Sequence, residues 1–286
     1  MTLMTASAAI LTRYCGIPAS SIGFWRVAGA SAVLLPWWLA AFFRTRPSVP
    51  VSPGALLTGV FLGLHFGTWA WALLHATLAN AALFISMQPA VTPLIGRWLA
   101  GDRLNKREYI GTALACVGMV WILGGQLLFT RDQLPGSIVA FASMIFCAVY
   151  FVLGRRFRAR EHVILFTVPV YMTAAIVQAI AALAIDGRVV PGLSPVGWMA
   201  IAGLILVPTV GGHTLSIFLL RHLKAHTIVL SIPVQFVIIV FAGMILFREW
   251  PRVWFYPGAL LVISGVVLAI AASSKAGPSG IPRLKA

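Results

Sequence analysis

The chain reads as an all-α integral membrane protein: ten transmembrane helices arranged as two inverted five-helix repeats. Three observations carry that reading. Of its 286 residues 60% are hydrophobic and only 9% charged, whereas soluble domains average roughly 45–50% apolar and about 25% charged. So few polar side chains cannot cover a surface facing water. The apolar residues also fall into ten runs separated by charged or Pro/Gly breaks. Finally, a stretch in the first half returns 147 positions later: Gly96, Leu99, Asp102, Tyr109, Gly111, Leu114 and Gly118 map onto Gly243, Leu246, Glu249, Tyr256, Gly258, Leu261 and Gly265. Six of the seven are identical and the seventh exchanges acid for acid. Duplicated membrane units are the plan of many small-molecule transporters.

The runs follow in order. The first, 1–14, is shorter than the roughly 20 residues a spanning helix needs. Either its start is truncated or misassigned, or Met1 begins inside the bilayer. No charged leader precedes it, so no cleavable signal peptide is expected. Run 19–43 opens behind Gly16-Ile17-Pro18 and stops at Arg44; 54–74 opens behind Pro53; 78–100 stops at Gly101-Asp102; 107–127 follows the basic pair Lys106-Arg107. After the break near Pro135 come 135–153, stopped by Arg155 and Arg156; 162–184, between Glu161 and Asp186; 194–220, stopped by Arg221; 226–247, between Lys224 and Arg248; and 252–273, stopped by Lys275. The domains expected are thus repeats at 1–134 and 135–275, followed by a disordered basic tail at 276–286 rich in Gly and Pro.

The net charge of +15 would suggest nucleic acid in a soluble protein. Here the basic residues sit in short loops between apolar runs, which assigns them to topology and gives no nucleic-acid partner. With a cytoplasmic N-terminus, the inner loops and tail hold Arg44, Arg46, Arg103, Lys106, Arg107, Arg155, Arg156, Arg158, Arg160, Arg221, Lys224, Lys275, Arg283 and Lys285. The outer loops hold only Arg13, Arg131, Arg188, Arg248 and Arg252. Both termini are therefore expected inside. Five spans per repeat force the copies into opposite orientations, with Asp102 at the cytoplasmic face, Glu249 at the outer face and a binding site near the midplane.

All six acids, Asp102, Glu108, Asp132, Glu161, Asp186 and Glu249, fall in loops or at helix ends. An intramembrane carboxylate is the usual proton or sodium relay, so the pattern argues against carboxylate coupling and against a membrane hydrolase with paired acids. Asp102 and Glu249 are expected to cap the fifth and tenth helices. Cys15, Cys116 and Cys147 form no CxxC pair and no metal cluster; they read as small packing residues.

The candidate substrate-binding residues lie inside the spans. On the third, His65 and Trp69 share one face, opposite the close-packing face of Gly59, Gly63 and Gly67. His65 lines a cavity or hydrogen-bonds a carbonyl in packing; both readings stand. On the eighth, Thr209, His213 and Ser216 form a stripe, and Pro208, Gly211 and Gly212 loosen the helix, either freeing carbonyls for a ligand or making a tolerated kink. Gln88 and Thr92 on the fourth, Ser231 and Gln235 on the ninth, Tyr150 beside Ser143 and Cys147 on the sixth, and Tyr171 beside Thr167 and Gln178 on the seventh add a modest polar and aromatic lining. Taken pair by pair, such residues are more often interhelical hydrogen bonds. Arg26 is the one cation deep in a half. The preferred reading is an interfacial arginine snorkelling beside Trp25; the other is an anchor for a substrate carboxylate. The fifth and tenth spans, with Gly111, Ala115 and Gly118 and with Gly258, Gly265 and Ala269, read as scaffold or dimer faces.

Asn80, Pro89, Asp102, Tyr109, Gly111 and Gly118, together with Gly16-Ile17-Pro18 and Trp25-Arg26, resemble the motifs of the drug/metabolite transporter superfamily, and of its EamA-type branch in particular. The resemblance covers essentially the whole chain, and the overall look is similar to that of the branch's aromatic amino-acid exporters. The first helix is short for the family. Pro233 lies 16 residues before Glu249 whereas Pro89 lies 13 before Asp102, so the two helices should not kink at equivalent depth. The resemblance implies a secondary transporter of the bacterial inner membrane that exports small metabolites, amino acids or similar amphiphiles, by alternating access and facilitated diffusion. The partners implied are a small-molecule substrate and the lipid bilayer, as a monomer or homodimer, with no cofactor. A nucleotide-sugar or phosphate-ester carrier would need several deep cations, and a multidrug exporter is a further alternative. Nothing matches a catalytic triad, a metal cluster, a Walker motif or a ring-forming selectivity segment, so a membrane enzyme or a channel ranks lower.

Overall fold

The computed structural model describes residues 2–76, 78–124, 131–132, 134–158, 161–189, 194–247, 250 and 252–275; its regular elements are all helical. Each of the ten apolar runs is helical. The first three are α1 (Thr2–Tyr14), α2 (Ala19–Thr45) and α3 (Pro53–His75). The fourth is split at Met87 into α4 (Leu78–Ser86) and α5 (Gln88–Leu99), because Pro89 supplies no backbone donor to the turn before it. Then come α6 (Lys106–Gly124), α7 (Leu134–Arg158) and α8 (Val163–Asp186). The eighth run is α9 (Pro195–Leu204), a π-helical segment Ile205–His213 and α10 (Thr214–Leu219). The ninth is α11 (Ala225–Val229) and α12 (Ser231–Phe247), split at Leu230, and the last is α13 (Phe255–Lys275). The breaks at Met87 and Leu230 stand at different distances from Asp102 and Glu249, as the unequal proline spacing predicts. Among the described residues six helices are long and apolar enough to cross a membrane. The tail and Glu249 lie outside the described residues.

The polarity of the bundle is inverted relative to a soluble protein. On α8, Ile176, Ile180 and Leu183 are each about 60% exposed, while Ala174, Gln178 and Ala182 on the other face are buried. Apolar side chains outside and amides and hydroxyls inside fit a helix with lipid on one side and protein on the other.

Glycines set the closest helix contacts. Gly59 stands against Val170 O and Thr173 of α8, Gly63 against Val177 and Gly67 against Gln178, so the predicted close-packing face of α3 meets α8. Gln178 donates to Gly63 O. In α6 and α13, Gly111 abuts the backbone of Gly265 and Ala269, and Gly118 that of Gly258 and Val262. As numbers rise on one helix they fall on the other, so the pair is antiparallel. The exchange Gly111 to Gly258 and Gly265 to Gly118, the 147-residue shift, turns one contact into the other. These helices are a scaffold within one chain, which answers one of the two expectations for them.

One end of the bundle is tied by ion pairs. Asp102 does not cap α6; it pairs with Arg155 at 3.0 Å. The cap is Asn105, whose Oδ1 accepts from Glu108 N (3.0 Å) while Glu108 Oε2 accepts from Asn105 N (2.7 Å), a reciprocal capping box. Asn105 sits immediately before the helix, three residues beyond Asp102, and that register decides between them. Fully buried Glu108 also accepts from Lys224 Nζ at 2.9 Å, and Lys224 donates to Arg103 O at 3.1 Å. Arg155 reaches Leu223 O (2.6 Å) and Arg156 reaches Leu99 O (2.7 Å).

Candidate substrate site

The interior of the bundle is organised around one cation. Arg26 projects from α2 and is only 4% exposed, so it does not snorkel outward as expected. Trp25 turns instead to Trp198, with ring centroids 5.4 Å apart. The Arg26 Nε donates to Thr209 Oγ1 at 2.7 Å, and its Cζ stands 3.8 Å from the centroid of the Phe66 ring on α3. A buried guanidinium over an aromatic face gains about 2 kcal/mol or more, far less than the cost of desolvating the charge. No carboxylate lies within ion-pair range of Arg26 among the described residues; the titratable groups in its field are Tyr150, Tyr171, Cys147, Cys15, His65 and His213.

The π-helical segment supplies the arginine's partner. Pro208 has no N–H to give to Leu204 O, four residues back. Thr209 Oγ1 donates to that carbonyl instead, at 2.7 Å, and so remains free to accept from Arg26. Thr209 O accepts from the Thr214 N–H across the widened turn, from Thr214 Oγ1 at 3.4 Å and from Tyr171 Oη of α8 at 3.1 Å, and the Tyr171 hydroxyl also lies 3.0 Å from Thr214 Oγ1. Wide π turns inside helices recur at functional sites.

Aromatic rings and unpartnered polar groups complete the cluster. His213 contacts Phe66 edge-to-face with centroids 5.0 Å apart, Tyr150 at 5.9 Å and Phe151 at 6.4 Å. His65 Nδ1 lies 3.1 Å from Ser143 O and 2.9 Å from Ser143 Oγ. A carbonyl only accepts, which assigns the proton to Nδ1. Tyr150 Oη and His213 Nδ1 are buried without a partner in hydrogen-bonding geometry, while the Gln88 side chain reaches the thiol of Cys147. Buried polar groups are nearly always satisfied; Tyr150 and His213, both in the field of Arg26, each keep a polar atom open.

The structure therefore brings together Arg26, His65, Tyr150, Tyr171, Thr209 and His213, with Gln88 next to them. Thr92 is buried and donates to Gln88 O at 2.8 Å, and Ser216 donates to Gly212 O at 2.8 Å within its own helix. Trp69 is not in the cluster: it packs with Ala72, Leu73, Ala81 and Ala140. Ser231 and Gln235 are also elsewhere, since α12 packs on α1, α4, α6, α11 and α13, and Gln235 Oε1 accepts from Thr5 Oγ1 at 2.8 Å. Phe66, Phe151 and Thr214 were not expected. A phenyl ring in an apolar run carries no sequence signal beyond packing; its place beside the cation comes from a different helix.

The profile of the EamA-like transporter family matches residues 1–124 and 134–271. Over 157 residues, about half of each chain (52% of each), the sequence is 32% identical to the aromatic amino acid exporter YddG of Ancylobacter novellus. It is 22% identical to an S-adenosylmethionine uptake transporter of Rickettsia felis over 96% of this chain and 92% of the other. It is 24% identical to the pseudopaline exporter CntI of Pseudomonas aeruginosa over 89% of this chain and 85% of the other. One solved crystal structure, 22% identical, shares the fold with a TM-score of 0.77 over 96% of both chains.

Proposed function

The chain belongs to the EamA-like transporter family, and from that premise we propose that it exports small amphiphilic metabolites, amino acids foremost, across the bacterial inner membrane. Transport runs by alternating access of two inverted five-helix repeats around the Arg26 cluster. The observation that carries the reading is the buried guanidinium without a counter-charge among the described residues, set beside the open polar atoms of Tyr150 and His213 and aromatic faces where an intramembrane helix widens. An ionisable group inside a membrane bundle is functional by default, and sites between repeats at broken helices are the transporter pattern.

The inverted arrangement is supported by exchange of contacts. Where α3 packs on α7 and α8, its counterpart α9 with the π segment packs on α1 and α2, and α5 on α7 corresponds to α12 on α1. The antiparallel glycine seam of α6 and α13 agrees. Arg155, Arg156, Arg103 and Lys224 gather at one end, which reads as the cytoplasmic end, with both termini on that side. Two of the three relatives described above are named as exporters, which favours export. The absence of an acid beside the cluster among the described residues favours facilitated diffusion over proton exchange. A phosphate-ester carrier is disfavoured because, among the described residues, Arg26 stands without a second cation in the cluster.

The test is counterflow. Proteoliposomes loaded with unlabelled phenylalanine should take up labelled phenylalanine at a saturable rate. Linear, unsaturable flux would make the protein a channel, and no flux with any amino acid would remove the amino-acid reading.

A further inference from the structure

We propose that Arg26 is a carboxylate anchor and that the substrate's carboxylate is its one indispensable charge, the ammonium of an amino acid being dispensable. The inference rests on the transporter reading above and sharpens it to a charge class: organic monoanions and amino acids bind, and amines of the same body do not.

The argument is one of fixed charge. The groups from every helix packed on Arg26 are neutral or apolar in character: Phe66 and His65 from α3, Tyr150 and Cys147 from α7, Tyr171 from α8, Thr209 and His213 from the π segment. The cluster holds one permanent positive charge and, among the described residues, no negative one. A guanidinium presents five donors in a planar fork matched to a carboxylate, and Arg26 gives one of them to a neutral hydroxyl. A carboxylate would neutralise the buried charge and turn a neutral hydrogen bond into charge-assisted ones, roughly twice as strong.

The ammonium has weaker claims. It finds the Tyr150 oxygen and the faces of Tyr150 and Phe151, all neutral acceptors. It also stands in the field of Arg26. Removing it gives up little and relieves like-charge repulsion. Removing the carboxylate leaves two buried cations with no anion, an arrangement the interior does not tolerate.

Three bodies, phenyl, indolyl and isobutyl, are each tested as the amino acid, as the acid lacking the ammonium (3-phenylpropionate for the first) and as the amine lacking the carboxylate (2-phenylethylamine). The full chain in detergent is titrated with each and its thermal midpoint recorded. For at least one body the amino acid and the acid should raise the midpoint, while the amine binds roughly 10- to 100-fold more weakly. Arg26→Gln should abolish stabilisation by the acid and Arg26→Lys should keep part of it. Equal stabilisation by amine and acid overturns the proposal, as does no stabilisation by any acid. So does an acid response that persists in folded Arg26→Gln. Because the wild-type panel already discriminates, a variant that fails to fold leaves the test intact. Phenylalanine counterflow separates the two readings. Exchange without charge discrimination sinks the anchor and keeps the amino-acid reading; stabilisation by acids without exchange of any amino acid keeps the anchor and removes the amino-acid reading.

Discussion

Lys224 and Glu108 offer a quantitative test of the bundle's tied end. The Glu108 side chain is 0% exposed and that of Lys224 7%, at 2.9 Å, so each charge is desolvated and depends on the other. Removing one partner of such a pair costs about 3–5 kcal/mol, because the survivor stays buried and unpaired. Glu108→Gln keeps an amide oxygen for Asn105 N–H, so the capping box survives and the charge alone is lost; about 3 kcal/mol is expected. Lys224→Met loses the donor to Arg103 O as well and should sit near the upper end, about 4–5 kcal/mol. The double variant buries no charge and retains the apolar length of both side chains. It should fall within about 1–2 kcal/mol of the parent, the residue being the orphaned Arg103 carbonyl. The coupling energy then exceeds about 3 kcal/mol. Reversible unfolding in mixed micelles by SDS titration, followed by tryptophan fluorescence, measures all four corners of the cycle. Losses that add to within about 0.5 kcal/mol would refute the reasoning and make the pair a solvated surface contact.

Three further outcomes are expected. At the α6–α13 seam, a Cβ on Gly118 would stand 2.7 Å from Gly258 O, whereas one on Gly124 meets nothing within 4 Å; Gly118→Leu should therefore lose most folded protein on size-exclusion chromatography and Gly124→Ala should not, and equal yields would contradict the packing. Tyr171→Phe removes one of the donors to Thr209 O, at 3.1 Å, so stability should drop by about 0.5–1.5 kcal/mol in the same titration, and an unchanged midpoint would mean that the donors from Thr214 suffice for that carbonyl. A pH gradient alone should not accumulate labelled phenylalanine in proteoliposomes, since no carboxylate neighbours the cluster among the described residues; uphill uptake that vanishes in His65→Ala or His213→Ala would reverse this.

Apolar length alone located nearly all the helices, and each of the ten runs agrees with a helical stretch to within a few residues. Lipid imposes that legibility, because a backbone in hydrocarbon must satisfy itself locally. The glycine face of α3 was equally readable, being a one-helix pattern. The fate of Arg26 was not. Its depth in α2 permits either snorkelling or burial, and Thr209 and Phe66, distant in sequence, decide it. Pro208 with Gly211 and Gly212 announced a loosened helix but not a π turn, since that depends on Thr209 Oγ1 finding Leu204 O. Trp69 and Gln235 lie apart from the Arg26 cluster because sharing a helix face with a polar neighbour says nothing about which other helix that face meets.

Thr209 Oγ1 is a single atom with two duties. Its hydrogen goes to Leu204 O, holding one surplus residue within the turn, and its lone pair receives Arg26. If the surplus residue were released into ordinary α geometry, everything beyond it would rotate by about 100° and advance about 1.5 Å. Serine in its place would keep both the tie to Leu204 O and the seat of the guanidinium, where valine would lose both at once.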